Sequence, residues 1–288
     1  MRERGSALIV VLWGIVILSL LGLSLIHYVE GEMLLMKRMV GDSKSKISAV
    51  FALCRIVDQI RKHQKIADED PDLKIEEEDR KININALLGP QHLILQNFLE
   101  NHGIEESQAR EIVGHLIDWK DADQVTFLPP HQAEESFKNA PLDHLEELLL
   151  IPGMNLEIYQ KVKQDLTIFP KQGPLRIRME TASPEILLAW AESLTGPSSN
   201  TSVMDAKSLV EKIIAHRENG PIEAQEMSLI PEEEIIFRLM LSSRARISSL
   251  VSVEIEKSDS FSGWTTKVNA VVDHRTGAVY SQTSLDLL

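Results

Sequence analysis

The sequence contains a single cysteine, Cys54, among 288 residues, so an intramolecular disulfide is excluded as a source of stability. It also lacks an excess of basic residues, because 30 lysines and arginines stand against 43 aspartates and glutamates, for a formal net charge of −13. A phosphate backbone requires a basic protein surface, so this balance argues against nucleic acid as the main partner. Proline is absent before Pro71, which leaves the N-terminal segment without the usual helix breaker.

Motifs typical of hydrolases are also missing. The sequence contains no G-x-S-x-G and no H-E-x-x-H. His115 and Asp118 are spaced to share one helix face, which leaves a membrane-anchored enzyme as an alternative. We expect the nine histidines to be surface or hydrogen-bonded residues, and we predict that the protein is not an enzyme.

The most conspicuous feature present is an uncharged apolar run from Ser6 to Ile26. A helix of about twenty residues spans the roughly 30 Å hydrocarbon core of a membrane. Arg2 and Arg4 precede the run, and basic flanks remain on the cytoplasmic side. We therefore expect one membrane span, with the rest of the chain on the outer side of that membrane.

Three interpretations of this N-terminus are open. A cleaved secretory signal needs a short apolar core and a small-residue cleavage site, but residues 25–29 read LIHYV. An ordinary signal anchor fits the length of the run. The third interpretation is a leader cut after Gly5, which would leave Ser6 as the first residue and keep the whole apolar helix. The basic cluster followed by Gly5 resembles the class III leaders of type IV pilins and type II secretion pseudopilins.

The helical pattern continues beyond the apolar run. We predict one nearly continuous helix from about Ser6 to about Lys65, which at 1.5 Å per residue is about 90 Å long. After an acidic turn, residues 73–84 are expected to form one strand or a hairpin. The outer half of the helix is expected to pack on an outer domain through one buried apolar stripe, formed by Ile47, Val50, Phe51, Cys54, Val57 and Ile60.

Apolar spacing predicts an all-helical region from Ala86 to Phe169. Four helices are expected there, at residues 90–101, 105–120, 142–149 and 156–166. Asp143 followed by Glu146 resembles a capping box. The turn from Ile151 to Met154 is typical of a helix-hairpin-helix element, whose glycine allows close approach of the backbone. Because acidic residues flank this turn, we interpret it as structural rather than as DNA-binding.

The rest of the chain predicts a mixed unit followed by a sheet. Alternation over residues 171–179 indicates a strand, and Ser183 with Pro184 is typical of a helix start. Further helices are expected at residues 204–216 and 231–240. Three antiparallel strands are expected near residues 244–257, 264–272 and 278–283. We expect this sheet to cover the stripe of the long helix, which gives an α+β body with the helical region as an insertion.

Several motifs, in this order and spacing, resemble the K class of minor pseudopilins of the bacterial type II secretion system (the GspK family), and the similarity spans nearly the whole chain. They are Arg4-Gly5 before the apolar run, ININA at 82–86, LIDWKDAD at 116–123, NAPLDHLEEL at 139–148, IPGM at 151–154 and TASPEIL at 181–187.

The fifth residue after the expected cut also fits this class. Most pseudopilins have a glutamate there, whereas counting from Ser6 gives Val10. A buried carboxylate is costly in an apolar bundle unless it pairs with a neighbour's N-terminal amine. A subunit at the tip of a filament lacks one neighbour, so the loss of the acid suits that position.

The resemblance implies a pseudopilin-like fold, in which a long N-terminal helix packs on a C-terminal antiparallel sheet and a large all-α region is inserted. The inserted region is expected to be SAM-like or helix-hairpin-helix-like. The expected divisions are a leader at 1–5, a transmembrane part at 6–26, the outer half of the helix with the first strand at 27–85, an inserted helical domain at 86–170, a second mixed or helical unit at 171–240 and the C-terminal strands at 241–288.

The resemblance also implies a non-catalytic function, which is to cap the pseudopilus tip and help initiate its assembly for protein export across the outer membrane. Expected partners are the I- and J-class minor pseudopilins, other pseudopilins and a prepilin peptidase, with N-methylation of Ser6 and no nucleic acid. The implied location is the inner membrane, with a single span and the C-terminal domain in the periplasm. The alternative is a membrane-anchored type IV pilus-like minor pilin, or a DNA-uptake protein with a helix-hairpin-helix element.

A calcium site in the helical region is a further implication of the resemblance. Its candidate ligands are carboxylates, whose hard oxygens suit Ca²⁺, and they are Asp118, Asp121, Asp123, Glu134 and Glu135. The sequence departs from the family pattern where Gln124 replaces a second acid and Gln132 replaces a glycine. A solvated helix end is the alternative interpretation of the same acidic residues.

Overall fold

The computed structural model describes residues 3–62, 72–121, 138–196, 200–217, 220, 222–244, 250–258 and 265–287, and the side chains of 3–8 and 281–287 lie outside this description. The helices are α1 (Glu3–Arg61), α2 (His92–Asn101), α3 (Glu106–Lys120), α4 (Leu156–Val162), α5 (Pro184–Glu192), α6 (Val203–His216) and α7 (Pro231–Leu241). The strands are β1 (Leu73–Glu77), β2 (Ile82–Asn83), β3 (Leu166–Thr167), β4 (Leu250–Ser258), β5 (Thr265–Asp273) and β6 (Val279–Leu287). Single turns of 3₁₀ helix occur at Glu78–Arg80, Ile84–Ala86 and Gly89–Gln91, with a longer one at Leu145–Leu150.

The chain divides into two compact units. The first unit contains residues 1–75, 253–272 and 276–288, and the second contains residues 76–252 and 273–275. Helix α1 belongs to the first unit and runs without interruption over 59 residues. This confirms the prediction of one continuous helix, whose expected end near Lys65 lies outside the described residues.

A four-stranded sheet in the order β1-β4-β5-β6 accompanies α1 in the first unit. Strands β5 and β6 are antiparallel, with Thr265 opposite Leu287 and a bulge between Val271 and Val272. The predicted sequence of three C-terminal strands is confirmed, and β6 is longer than the expected strand at 278–283. The predicted strand residues 245–249 and Trp264 lie outside the described part of the chain.

The outer half of α1 packs on this sheet. On β5 the buried residues alternate with less buried ones, and Thr266 and Val268 belong to the buried face. The hydroxyl groups of Ser45 and Thr266 lie 2.6 Å apart and are buried, so they join the helix to the sheet directly. The buried residues of α1 fall on one stripe at helical spacing, and they are Gly41, Ser45, Ala49, Ala52, Leu53, Ile56 and Ile60.

The predicted composition of this stripe was wrong for most of its members. Ile60 is buried as expected, but the side chains of Ile47 and Phe51 are 70% and 73% exposed, and Cys54 is also exposed. The helix has apolar residues on two faces, and the buried face carries Ala49 and Ala52 together with Leu53, Ile56 and Ile60. The hydroxyl of Ser45 on that face is satisfied by the carbonyl oxygen of Asp42 and the hydroxyl of Thr266.

The second unit is built around a single apolar core of helices. Helix α2 packs against α3 and α5, α5 packs against α6, and α6 packs against α7. The largest buried side chains of the core are Phe98 on α2, Trp190 on α5 and Phe237 on α7. The predicted helix start is confirmed, because the Ser183 hydroxyl accepts a hydrogen bond from the backbone N–H of Ile186.

Local structure differs from the sequence prediction in four segments. The helix predicted at 142–149 is a 3₁₀ helix over Leu145–Leu150, and Glu147 rather than Glu146 accepts from the backbone N–H of His144. The helix predicted at 156–166 ends with α4 at Val162, before β3. No hairpin forms over 73–84, because β1 neighbours β4 and β2 pairs with β3 in parallel. The strand predicted at 171–179 is reduced to one bridge between Ile177 and Arg244.

A buried carboxylate joins α6 to α7. The side chain of Glu233 is 1% exposed and accepts hydrogen bonds from Ser208 and Lys212, each at 2.6 Å. Burial raises the pKa of Glu233, but the hydrogen bonds from Lys212 and Ser208 outweigh it and lower the pKa below its ordinary value. The carboxylate therefore stays charged and holds the two helices together.

Asn85, in the ININA motif, connects three separate segments of the second unit. Its side-chain amide donates to the carbonyl oxygens of Leu142 at 2.9 Å and Ile168 at 3.0 Å, and its side-chain oxygen accepts from the backbone N–H of Leu142 at 2.8 Å. These backbone groups are away from water, so the asparagine supplies bonds that solvent cannot replace.

We predict that Asn85→Ala lowers the free energy of unfolding of the full chain by about 2–4 kcal/mol, because it removes three hydrogen bonds and leaves buried backbone groups unpaired. Urea unfolding of the detergent-solubilised protein measures the loss. The matched control is Asn101→Ala, which removes one exposed bond to Glu192 and should change the value by less than about 0.5 kcal/mol. Equal effects of the two substitutions would contradict the assigned role of Asn85.

Asp143 carries an exposed ion pair with two lysines. Its carboxylate accepts from Lys138 at 2.7 Å and also bonds the ammonium group of Lys171. Hydrogen bonds from Lys138 and then from Lys171 lower the pKa of Asp143 to about 2, from an ordinary value of 3.8. An acid whose pKa is lower in the folded state stabilises the fold above its unfolded pKa, and this contribution is lost as the pH falls towards the folded value.

We predict that Asp143→Asn lowers the melting temperature at pH 6 and that the difference from the unmodified protein shrinks as the pH falls from about 4 to about 2. Thermal unfolding over this pH series measures it. A difference that stays constant across the series would show that the carboxylate charge is not the cause.

Candidate functional site

Helix α1 presents an exposed apolar surface along most of its length. It is the one helix in the described part of the chain that is long and apolar enough to cross a membrane. From Ile9 to Val40 its large apolar side chains are exposed. The predicted processing residues Gly5 and Ser6 lie in its first turns. The segment therefore has the length and composition of the expected membrane anchor.

A second exposed surface follows on the outer half of α1, and we call it the outer stripe (Ile47, Val50, Phe51 and Cys54). These residues recur at the i, i+3, i+4 and i+7 spacing of one helix face. All four are exposed, although they were predicted to lie under the sheet. A contiguous row of large apolar side chains on a helix that is already packed on its opposite face is typical of a surface that another protein covers.

Two contacts fix the rotation of α1 and therefore the direction in which the outer stripe points. The bond between Ser45 and Thr266 lies near one end of the packed segment. At the other end Arg61 packs on Gly277, where an added Cβ would lie 2.6 Å from Arg61 Cγ. Gly277 also has a φ of +67°, a conformation that side chains rarely adopt. The outer stripe therefore lies on a segment of α1 whose opposite face is packed on the sheet.

The predicted calcium ligands are only partly described. Asp118 is a buried residue of α3, and Asp121 directly follows the end of that helix. Asp123, Glu134 and Glu135 lie outside the described residues. Within the described part of the chain, no three metal-binding side chains come together. The calcium site stays a prediction from the resemblance.

Lys120, which sequence analysis did not select, anchors this end of α3. Its ammonium group donates to the carbonyl oxygens of Ile84 at 2.7 Å and Leu87 at 3.0 Å. Burial lowers the pKa of Lys120 to about 8, against the opposing effect of the Asp121 charge. The only sequence signal for this role is its place between two aspartates. The lysine ties the LIDWKDAD motif to the ININA motif.

The predicted helix-hairpin-helix turn from Ile151 to Met154 packs against helix α3 of the same chain. Gly153 has a φ of +86°, and an added Cβ would lie 3.0 Å from Ile112 Cγ1 on α3. The carbonyl oxygen of Gly153 accepts a hydrogen bond from the side chain of Gln108 at 3.0 Å. The close approach that the glycine permits is therefore used for packing on α3, in agreement with the structural interpretation of this turn.

Comparison with known proteins gives one family and one fold. Residues 80–171 match the family model described as type II secretion system (T2SS), protein K. The search of curated proteins gave no significant match. A solved structure described as the GspK-GspI-GspJ complex from the enterotoxigenic Escherichia coli type 2 secretion system matches with a TM-score of 0.58 and 15% identity, over 84% of this chain and 95% of that chain. These findings confirm the resemblance predicted from the motifs: residues 80–171 are similar to type II secretion system protein K, and the chain shares its fold with a chain of the GspK-GspI-GspJ complex.

Proposed function

We propose that this minor pseudopilin caps the tip of the type II secretion pseudopilus and helps to initiate its assembly, without catalysis. The observation that carries the proposal is the outer stripe, which lies on the same continuous helix as an apolar segment with the properties of a membrane span. A helix with an anchor at one end and a supported, apolar outer face is suited to join other helices of the same kind.

The proposed partners are the I- and J-class minor pseudopilins. A solved structure that shares this fold was described as a complex of GspK with GspI and GspJ. Since the sheet covers one face of α1, the outer stripe is the face that remains for a partner helix. Burial of a large apolar side chain contributes about 1.5–3 kcal/mol, so a few such residues supply a substantial part of the binding free energy.

Two features support a position at the tip. Val10 stands where most pseudopilins have a glutamate, so this subunit does not offer the charge that pairs with a neighbour's N-terminal amine. The second unit, inserted between β1 and β4, also adds most of the mass of the chain. A subunit of this size would hinder the addition of further subunits above it.

The test is co-purification of the full-length, detergent-solubilised chain with its I- and J-class partners. We expect the unmodified chain to form a stable ternary complex. The double substitution Ile47→Glu and Phe51→Glu should lower the affinity for the partners by about tenfold or more, because two charges would then enter an apolar interface. The matched control is Leu150→Glu with Leu156→Glu, which charges two exposed apolar residues of the second unit. Full assembly of the Ile47 and Phe51 double variant, or an equal loss of affinity in the control, would reject the outer stripe as the interface.

We further propose that the protein resides in the inner membrane with its C-terminal domain in the periplasm, after a prepilin peptidase cleaves behind Gly5 and Ser6 is N-methylated. The proposal is supported by the basic residues before the apolar run and by the continuous helix that cleavage would leave intact.

We predict that Gly5→Val blocks processing, because a branched side chain would occupy the position before the cut. Intact-mass measurement of the membrane-extracted protein should show a mature chain that begins at Ser6 for the unmodified protein and an uncut chain for the variant. Ala7→Val is the control beyond the cut and should be processed normally. A mature mass in the Gly5 variant that begins at Ser6 would refute the cleavage assignment.

A further inference from the structure

A polar cavity of about 400 Å³ lies within the second unit. It is lined by residues of the segment 78–83, by residues of the segment 169–176 and by Arg275. Its volume falls within the range of ordinary ligand-binding pockets, about 300–1,000 Å³. Neither the motifs nor the proposed tip function assigns a role to it.

Hydrogen bonds connect the residues that line the cavity with one another and with β4. The carboxylate of Glu78 is 2% exposed and accepts a hydrogen bond from Lys81 at 2.8 Å and another from the hydroxyl of Ser252. The side-chain amide of Asn83 donates to the carbonyl oxygen of Pro170 at 2.8 Å, which joins the two lining segments. The charge of Glu78 is therefore already compensated, and the walls are preformed.

Arg176 and Arg275, by contrast, line the cavity without a side-chain hydrogen bond or ion pair in the described structure. Both are exposed. In the described part of the second unit every other arginine has a carboxylate or carbonyl partner, and these arginines are Arg80, Arg110, Arg178, Arg217, Arg238 and Arg244. In the described part of this unit, the two guanidinium groups that have no carboxylate or carbonyl partner thus line the same cavity, in a chain of net charge −13.

We propose that this cavity binds an acidic segment of another polypeptide, whose side-chain carboxylates pair with Arg176 and Arg275. A guanidinium group donates two parallel hydrogen bonds to a carboxylate, so each arginine can hold one acidic side chain of a peptide. The cavity is much larger than one carboxylate or one inorganic anion. Phe169 and Pro174 add apolar surface to its lining, which fits the carbon chain of a peptide.

The inference goes beyond the tip function and does not depend on it, because it concerns a different unit from the one that carries the outer stripe. Failure of ternary assembly would leave the cavity proposal intact, and failure of peptide binding would leave the assembly proposal intact. The two experiments therefore test separate claims.

The experiment uses the full chain in detergent at low salt and two fluorescein-labelled probes, a peptide of four glutamates and the matched peptide of four glutamines. Fluorescence anisotropy measures both dissociation constants. We expect the glutamate peptide to bind at least about tenfold more tightly than the glutamine peptide, and the double variant Arg176→Gln with Arg275→Gln to lose at least about tenfold in affinity for it.

The matched control is Arg110→Gln with Arg238→Gln, which removes the same charge from exposed arginines that already have carboxylate partners. It should bind the glutamate peptide as the unmodified chain does. Equal affinity for the two peptides, an unchanged affinity in the Arg176 and Arg275 variant, or no binding up to about 1 mM would overturn the proposal. Displacement of the glutamate peptide by an equal concentration of inorganic phosphate would also overturn it, since a simple anion site would then explain the data.

Discussion

The contact between the outer half of α1 and the sheet is the constraint on which the rest of the molecule depends. It is made by a buried face that runs from Ala49 to Ile60, with the Ser45–Thr266 hydrogen bond at one end and Arg61 on Gly277 at the other. Close packing of this kind permits one rotation of the helix about its axis. Because that rotation buries one face, the large apolar residues of the opposite face are left for a partner. The internal packing of the first unit therefore determines its assembly surface.

Much of the fold could be predicted from the sequence where local signals agree with tertiary packing. The absence of proline before Pro71 and the apolar run predicted α1, and Ser183 with Pro184 predicted the start of α5. Alternation predicted β4 and β5, whose buried residues follow the period of a strand. At these places the favoured local conformation and the burial pattern have the same period, so neither overrides the other.

The predictions failed where the apolar pattern was recognised correctly but the element that packs against it is distant in the sequence. Leu175, Ile177 and Met179 alternate and are buried, yet only Ile177 forms a bridge, because the side chains enter a helical core and not a sheet. The stripe of α1 failed for a related reason. Size and hydrophobicity ranked Phe51 above Ala49, whereas the structure buries Ala49 together with Leu53 and leaves Phe51 exposed. The role of Lys120 could not be predicted either, since its hydrogen bonds to the carbonyl oxygens of Ile84 and Leu87 depend on the tertiary structure.

The distribution of charge connects the stability of the second unit with its capacity to bind. Two of its buried carboxylates, Glu78 and Glu233, are each paired with a lysine and a hydroxyl, as Glu233 is with Lys212 and Ser208, while the chain as a whole keeps an acidic excess. Such an excess repels an acidic partner at long range, but charges further away than about 8 Å are largely screened at physiological ionic strength. At the cavity Glu78 is already paired with Lys81, whereas Arg176 and Arg275 have no ion pair in the described structure, and Asp79 is the other acidic residue of the lining. Local pairing, and not the net charge of the chain, therefore determines which side chains this surface accepts.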